Sequence, residues 1–243
     1  NPDTDEYTHY EYPDTPNFPQ GPVWEIREDP DGNVWVGTRF EVAAAWFDGT
    51  DWNKFDVEGG SSYFACSFID FDDQDRGYFQ TWRGGLHVYD FSAQEWLHTD
   101  KGAVDGTESF LARGGAVSVS ADGSEIIVVS RPWSNEISGP DGIWKYDGAE
   151  WARTEPVGDE FDGLTRDAGG TNWATSMEDF RLYKYEGSSW QPVDIRGYRP
   201  SEDDYLQPIG SSNGSLWLAR VRYRSNEEEF DWQASQLVRY ELP

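Results

Sequence analysis

Fifteen arginines but only four lysines stand against 46 acidic residues in this chain of 243, so the positions of the arginines are informative. Arg39, Arg83, Arg131 and Arg220 each come just after a short apolar run, and the runs recur along the chain. Trp82 and Trp133 stand beside two of them, and Arg222 and Trp232 fall in a stretch where both residue types recur. A guanidinium fork matches carboxylate or sulfate oxygens, and a flat indole face suits a sugar ring or an apolar group. Together these residues point to a ligand with negative groups, such as an acidic oligosaccharide or peptide. The competing assignment is local pairing with acids such as Glu41, Glu136, Asp203, Asp204 and Glu227–Glu229.

Signatures of nucleophilic and metal chemistry are missing from the sequence. There is no Gly-x-Ser-x-Gly, no His-Glu-x-x-His and no phosphate-cradling loop before a helix. His9, His87 and His98 are too few and too scattered for a three-histidine metal site or a histidine-based triad. Carboxylates remain, because two of them suffice for acid–base work on a glycosidic bond. Glu25, Asp70 and Glu178 are the candidates, and a lyase using Tyr and Arg on uronic-acid polymers is a related option. Asp29-x-Asp31 and Asp72-Asp73-Gln74-Asp75 offer hard oxygen ligands for Ca²⁺. Neither completes a calcium loop, and Asp is a favoured turn residue in any case. No cofactor or metal site is therefore expected.

The formal charge of −27 argues against nucleic acid or an anionic membrane as partner. It fits either adaptation to high salt or an acidic extracellular protein. No apolar stretch is long enough to cross a bilayer. The start, Asn1-Pro2-Asp3-Thr4-Asp5-Glu6, reads as a processed or trimmed N-terminus. A lone cysteine, Cys66, lies in an apolar run and reads as a buried structural thiol. Thirteen each of Trp, Tyr and Phe supply large faces for a core, although hydrophobic residues make up only 37% of the chain.

The elements that carry these residues repeat. Five times a short apolar run meets a tight Gly turn, a second apolar run and then an aromatic pair, closed by Tyr7, Trp52, Trp96, Trp151 or Trp190. The clearest copy predicts strands over Val23–Glu28, Val34–Thr38, Ala43–Phe47 and Trp52–Val57, with turns at Pro30–Asn33 and Asp48-Gly49. This spacing suits a unit of four short strands. The fifth copy lacks its fourth strand. Tyr7-Thr8-His9-Tyr10 matches Trp52-Asn53-Lys54-Phe55 in aromatic positions, so the N-terminal strand is expected to complete the last unit and close a ring. The fold expected is all-β: a single five-bladed propeller of four-stranded antiparallel blades over 1–243. Its blades fall near 23–57, 64–99, 114–154, 161–193 and 205–243, the last completed by 5–12.

Ile26-Arg27-Glu28-Asp29-Pro30-Asp31-Gly32-Asn33-Val34-Trp35-Val36-Gly37-Thr38 resembles the two-component-regulator propeller repeat, whose consensus runs close to I-x-x-D-x-x-G-x-L-W-x-G-T. Partial copies surround Thr81–Asp90, Trp173–Ser176 and Asn213–Trp217. The resemblance implies a propeller of the kind found in secreted or periplasmic sensor regions of bacteria. Five-bladed propellers of known glycosidase families place Asp and Glu from different blades around the channel mouth.

In such blades the first-to-second and third-to-fourth turns emerge on one face, and they are short here. The blade-to-blade and second-to-third connections emerge on the other. They are long, as at Glu58–Tyr63, Lys101–Gly115, Arg131–Asp141, Glu155–Gly163, Asp194–Tyr205 and Val221–Ala234. Binding residues concentrate on long loops over a rigid scaffold, and the arginines gather there. The reading is a secreted or periplasmic monomer that binds an acidic ligand on its long-loop face, without inserting in a membrane. The alternatives are a polysaccharide-active enzyme, glycosidase or lyase, and a protein-interaction scaffold.

Overall fold

The computed structural model of the protein describes residues 8–20, 23–38, 44–57, 66–81, 85–97, 115–130, 142–154, 161–176, 178–195, 197–201, 204–212, 214–226 and 229–242. Its strands form five antiparallel sheets, each built from consecutive strands. Blade one is β1 (Val23–Glu28), β2 (Val34–Thr38), β3 (Ala44–Phe47) and β4 (Trp52–Phe55). Blade two is β5 (Cys66–Phe71), β6 (Arg76–Thr81), β7 (Gly85–Asp90) and β8 (Glu95–Leu97). Blade three is β9 (Val117–Val119), β10 (Ile126–Ser130), β11 (Gly142–Tyr146) and β12 (Trp151–Thr154). Blade four is β13 (Phe161–Arg166), β14 (Asn172–Ser176), β15 (Leu182–Glu186) and β16 (Ser189–Pro192). Blade five has three strands, β17 (Asp204–Ser212), β18 (Ser215–Asn226) and β19 (Glu229–Glu241).

One hydrogen-bonded device sets the first hairpin of several blades. Asp29 Oδ1 accepts the backbone N–H of Asp31 and Asn33, and its Oδ2 accepts the indole N–H of Trp35 at 2.8 Å. Asp167 does the same with Gly169, Thr171 and Trp173, the last at 2.9 Å. Asp72 holds Gln74 and Arg76 through Oδ1 and the Tyr78 hydroxyl through Oδ2 at 2.9 Å. Each carboxylate thus satisfies turn donors and pins a large ring six residues on. In blade three a serine, Ser120, takes the place and accepts from the Glu125 N–H. The turn acids Asp29 and Asp72, considered as calcium ligands, serve as turn acceptors.

The core lies between blades. Trp35 and Ala44 pack against Ile69 and Phe79 between blades one and two. Tyr78 and Val88 meet Val117 and Val128 between two and three, and Ile127 and Ile143 meet Leu164 and Tyr183 between three and four. Trp173 and Leu182 meet Leu206 and Leu218 between four and five. On the remaining face of blade one, Val36, Ala45 and Trp52 are covered by Tyr10 and Phe18 of the N-terminal segment.

Two expectations differ from the structure. The stretch 221–234, read as a loop, is largely strand: β18 runs to Asn226 and β19 starts at Glu229, with Tyr223 opposite Trp232 and Ser225 opposite Phe230. Its β-branched and aromatic residues alternate with charges, and that alternation supports pairing; the charges disguised it. The closing strand expected over 5–12 is not among the strands described. Thr8, His9 and Tyr10 lie in none, and Tyr7 is outside the described residues.

Candidate functional site

The first strand of every blade lines the central channel, so residues at one register level form a layer around it. Arg27 stands opposite Trp35, Asp70 opposite Tyr78, Ser118 opposite Ile127, Thr165 opposite Trp173 and Gly210 opposite Trp217. The hairpins repeat while this layer changes chemistry from blade to blade. Its position, two residues before each turn acid or Ser120, was a signal the sequence offered. The layer bounds a cavity of about 550 Å³ at the short-turn mouth of the channel, shared by all five blades.

Polar contacts stitch the blades around this cavity. Asp70 Oδ2 accepts the Val119 N–H at 2.7 Å, from blade two to three. Ser118 donates to Asn172 Oδ1 at 2.7 Å, and Arg166 donates through Nη1 to Glu125 at 3.0 Å, both between blades three and four. Lys145 pairs with the other Glu125 oxygen at 2.6 Å. The Ser211 hydroxyl donates to the Arg166 carbonyl at 3.0 Å, between blades five and four. Arg27 forms an ion pair with Glu25 on the same strand. None of Arg27, Arg166, Glu125 or Lys145 was singled out from the sequence.

Glu25 and Asp70, two of the three carboxylates expected at a channel site, come near enough to influence each other. Burial lifts the Glu25 carboxyl to about 7; the Arg27 guanidinium opposes that rise and the Asp70 charge adds to it. Asp70 is also raised by burial, against the pull of Arg27 and of the Val119 N–H. A strand bulge between Val23 and Glu25, matched by one between Cys66 and Phe68, sets the register here. Glu178 does not join them; it is exposed beyond the end of β14, next to Ser176. Cys66 is fully buried, and burial followed by the Glu25 charge pushes its thiol up, so it is inert as a nucleophile.

Of the residues assigned to an acidic ligand, Arg39, Trp82, Arg83, Arg131 and Trp133 lie outside the described residues. Arg222 falls opposite Asp204 on β17 and Gln233 on β19, and Trp232 falls opposite Tyr223. Arg220 lies within β18 rather than at its end. Its Nε donates to Asp204 Oδ1 at 2.6 Å, its Nη2 pairs with Oδ2, and its guanidinium sits 5.8 Å from the centre of the Tyr198 ring. The Tyr198 hydroxyl in turn donates to the Asp204 carbonyl at 2.8 Å. Arg220 is thus a forked partner of an acid on its own blade. His87 stands on β7, 3.5 Å from the Thr81 hydroxyl, and His9 is exposed.

Residues 17–40 match the family described as Two component regulator propeller. Among solved structures, the chain is similar to the extracellular domain of the hybrid two component system BT3049 from B. thetaiotaomicron. Identity is 17% and the TM-score 0.54, over 86% of this chain and 29% of that one. It is also similar to the extracellular domain of the hybrid two component system BT4673 from B. thetaiotaomicron, at 11% identity and TM-score 0.56, over 87% and 27%. A third is virginiamycin B lyase from Staphylococcus aureus, at 10% identity and TM-score 0.51, over 90% and 84%. The chain spans less than a third of the two sensor domains. No curated protein matches it. The chain is a five-bladed β-propeller. Among the described residues no helix is long and apolar enough to cross a membrane.

Proposed function

We propose that the protein is an extracytoplasmic ligand-binding propeller that takes an acidic ligand, a carboxylated or sulfated oligosaccharide or an acidic peptide, on its long-loop face. The observation that carries this reading is the sequence that follows three second strands. β2, β6 and β10 are described as far as Thr38, Thr81 and Ser130, and Arg39, Trp82-Arg83 and Arg131 come next in the sequence. Arginines recurring at this point of the repeat, in a chain with net charge −27, suit a focused anion site. Two similar structures are extracellular domains of two component systems, which favours a place outside the cytoplasm. Trp133, Arg222 and Trp232 complete the proposed contacts, while Arg220 is held by Asp204 and stands outside them.

An array of neutral, carboxylated and sulfated oligosaccharides, assayed for binding and for released reducing or unsaturated ends, tests it. Saturable binding to acidic members, weakened by Arg83→Ala or Arg131→Ala and little changed by Arg220→Ala, is expected. No binding to any acidic member sinks the reading. The second reading is a polysaccharide-active enzyme, favoured by Glu25, whose carboxyl is lifted into the range of a general acid beside Asp70. Product in the same wells, lost in Glu25→Gln, moves the case there.

The same reading has the N-terminal strand complete blade five, with Tyr7 beside Tyr240. Support comes from Tyr10, whose ring lies 5.4 Å from Phe47 and 5.5 Å from Trp52 of blade one.

A further inference from the structure

The cavity at the short-turn mouth lies away from the long-loop face, and its walls differ in kind. On blades one and five it meets Ile26, 61% exposed, and Ile209, 43% exposed. Aliphatic side chains left this open beside a cavity gain from an apolar occupant, at roughly 25 cal/mol per Å² of apolar surface covered. On blades two to four it meets Asp70, Ser118 and Arg166. Blade one adds Arg27 and Glu28, and blades two and four add Asp73 and Asp167, so the two isoleucines form an apolar patch beside a charged lining.

The charged lining carries both signs. The Asp70 carboxylate accepts one cross-strand N–H, from Val119, at Oδ2, and an ionised carboxyl offers about four acceptor positions. Arg166 engages Glu125 through Nη1, and a guanidinium has five N–H donors in a planar fork suited to carboxylate. Arg27 is tied to Glu25 and to the Ile26 carbonyl. A simple anion would meet Asp70 as well as Arg166, and a simple cation would meet Arg27 and Arg166 as well as Asp70. A ligand that carries both signs on one carbon satisfies each. A volume of about 550 Å³ holds such a molecule with an apolar tail and some water.

We infer that this mouth is a second binding site, for a zwitterionic α-amino acid with an apolar side chain. Asp70 receives the ammonium, Arg166 the carboxylate, and Ile26 with Ile209 the side chain. The site shares no residue with the proposed acidic-ligand face and does not depend on it.

Calorimetric titration of the full chain with L-phenylalanine and L-leucine tests the assignment, alongside phenethylamine, which lacks the carboxylate, and 3-phenylpropionate, which lacks the ammonium. The amino acids bind, and each analogue binds roughly tenfold or more weakly. Asp70→Asn removes the advantage of L-phenylalanine over 3-phenylpropionate, and Arg166→Gln removes its advantage over phenethylamine. Ile209→Ala, a change at a partly exposed position that keeps the fold, weakens both amino acids several-fold. Absence of heat with either amino acid overturns the assignment. So does equal binding of an analogue, or amino-acid binding indifferent to Ile209→Ala. A carboxylated oligosaccharide held on the long-loop face is not displaced by L-phenylalanine, so failure at one site is distinguishable from failure at the other.

Discussion

Tyr10 packs on Trp52 with ring centres 5.5 Å apart, the relation that Phe55 has to Trp96 at 5.7 Å. Both pairs are flanked by a second ring: Phe47 lies 5.4 Å from Tyr10, and Tyr89 lies 5.2 Å from Phe55. Phe47 pairs across strands with Trp52, as Tyr89 does with Trp96. The residue three beyond the closing aromatic of one blade therefore meets the aromatic pair of the next. Blades three and four obey the same relation in polar form, with the Trp190 indole N–H donating to the Thr154 hydroxyl at 3.0 Å. Tyr10 stands in this series with no blade of its own among the described strands. Among the described strands, blade five is the one with three.

If the N-terminal segment is that strand, Tyr7 lies beside Tyr240, as Trp52 lies beside Phe47. A Tyr7→Cys, Tyr240→Cys variant is expected to form an intrachain disulfide under oxidation, seen as a mobility shift on a non-reducing gel, since Cys66 is buried. Tyr10→Ala is expected to lower unfolding free energy by about 2–3 kcal/mol, for a lost, partly buried ring and its aromatic contacts. A silent Tyr10→Ala together with a failed cross-link would place the segment elsewhere.

The turn carboxylates give a second outcome. Asp29→Ala and Asp167→Ala each strand two backbone donors and an indole N–H, and each is expected to cost about 2–4 kcal/mol in denaturant unfolding. Asp31→Ala, at an exposed position in the same turn, is expected to stay within about 0.5 kcal/mol. Equal effects at Asp29 and Asp31 would contradict the role given to the turn acid.

These residues also explain how far the sequence was readable. β1 and β2 match their expected bounds, and β3 and β4 fall within theirs, because Asp, Gly and the alternating apolar runs act locally. The same local logic pointed to Glu25 and Asp70. It missed Arg27, Arg166 and Glu125, because their significance arises only when first strands of different blades converge on the channel. The forked bond of Arg220 to Asp204 was hidden as well, because it joins residues 16 apart in sequence. Pairing with Asp204 was among the assignments considered, and the pair is present in the fold.

Glu25 makes stability depend on pH in an unusual direction. Its carboxyl ordinarily titrates at 4.5 and is raised to about 7 in the fold. The folded chain thus holds a proton that the unfolded chain releases, so its contribution is complete below about 4.5 and is lost as pH rises through about 7. The difference corresponds to about 3 kcal/mol at 1.36 kcal/mol per unit. Glu25→Gln is expected to match the parent near pH 4.5, to exceed it above pH 7, and to flatten the intervening decline in urea midpoints. Asp70, raised in the same sense, leaves a residual slope. An unchanged decline in the Glu25→Gln variant would assign the titration elsewhere.

Salt should act in the stabilising direction on this chain. Among the described cations, Arg76, Lys145, Arg166, Lys184 and Arg220 are all paired with acids. Exposed acids such as Asp31, Asp51, Asp73 and Asp122 remain on the surface, within a net charge of −27. Repulsion among them is screened as the Debye length shrinks from about 10 Å at 0.1 M to about 3 Å at 1 M, while the partly buried pairs are screened less. Tm is therefore expected to rise by several degrees between 0.1 and 1 M NaCl. Replacing four exposed acids, Asp31, Asp51, Asp73 and Glu95, by Asn or Gln should raise Tm at 0.1 M and shrink the salt response. A Tm that falls with NaCl would mean that ion pairs, rather than net repulsion, dominate the electrostatics of the fold.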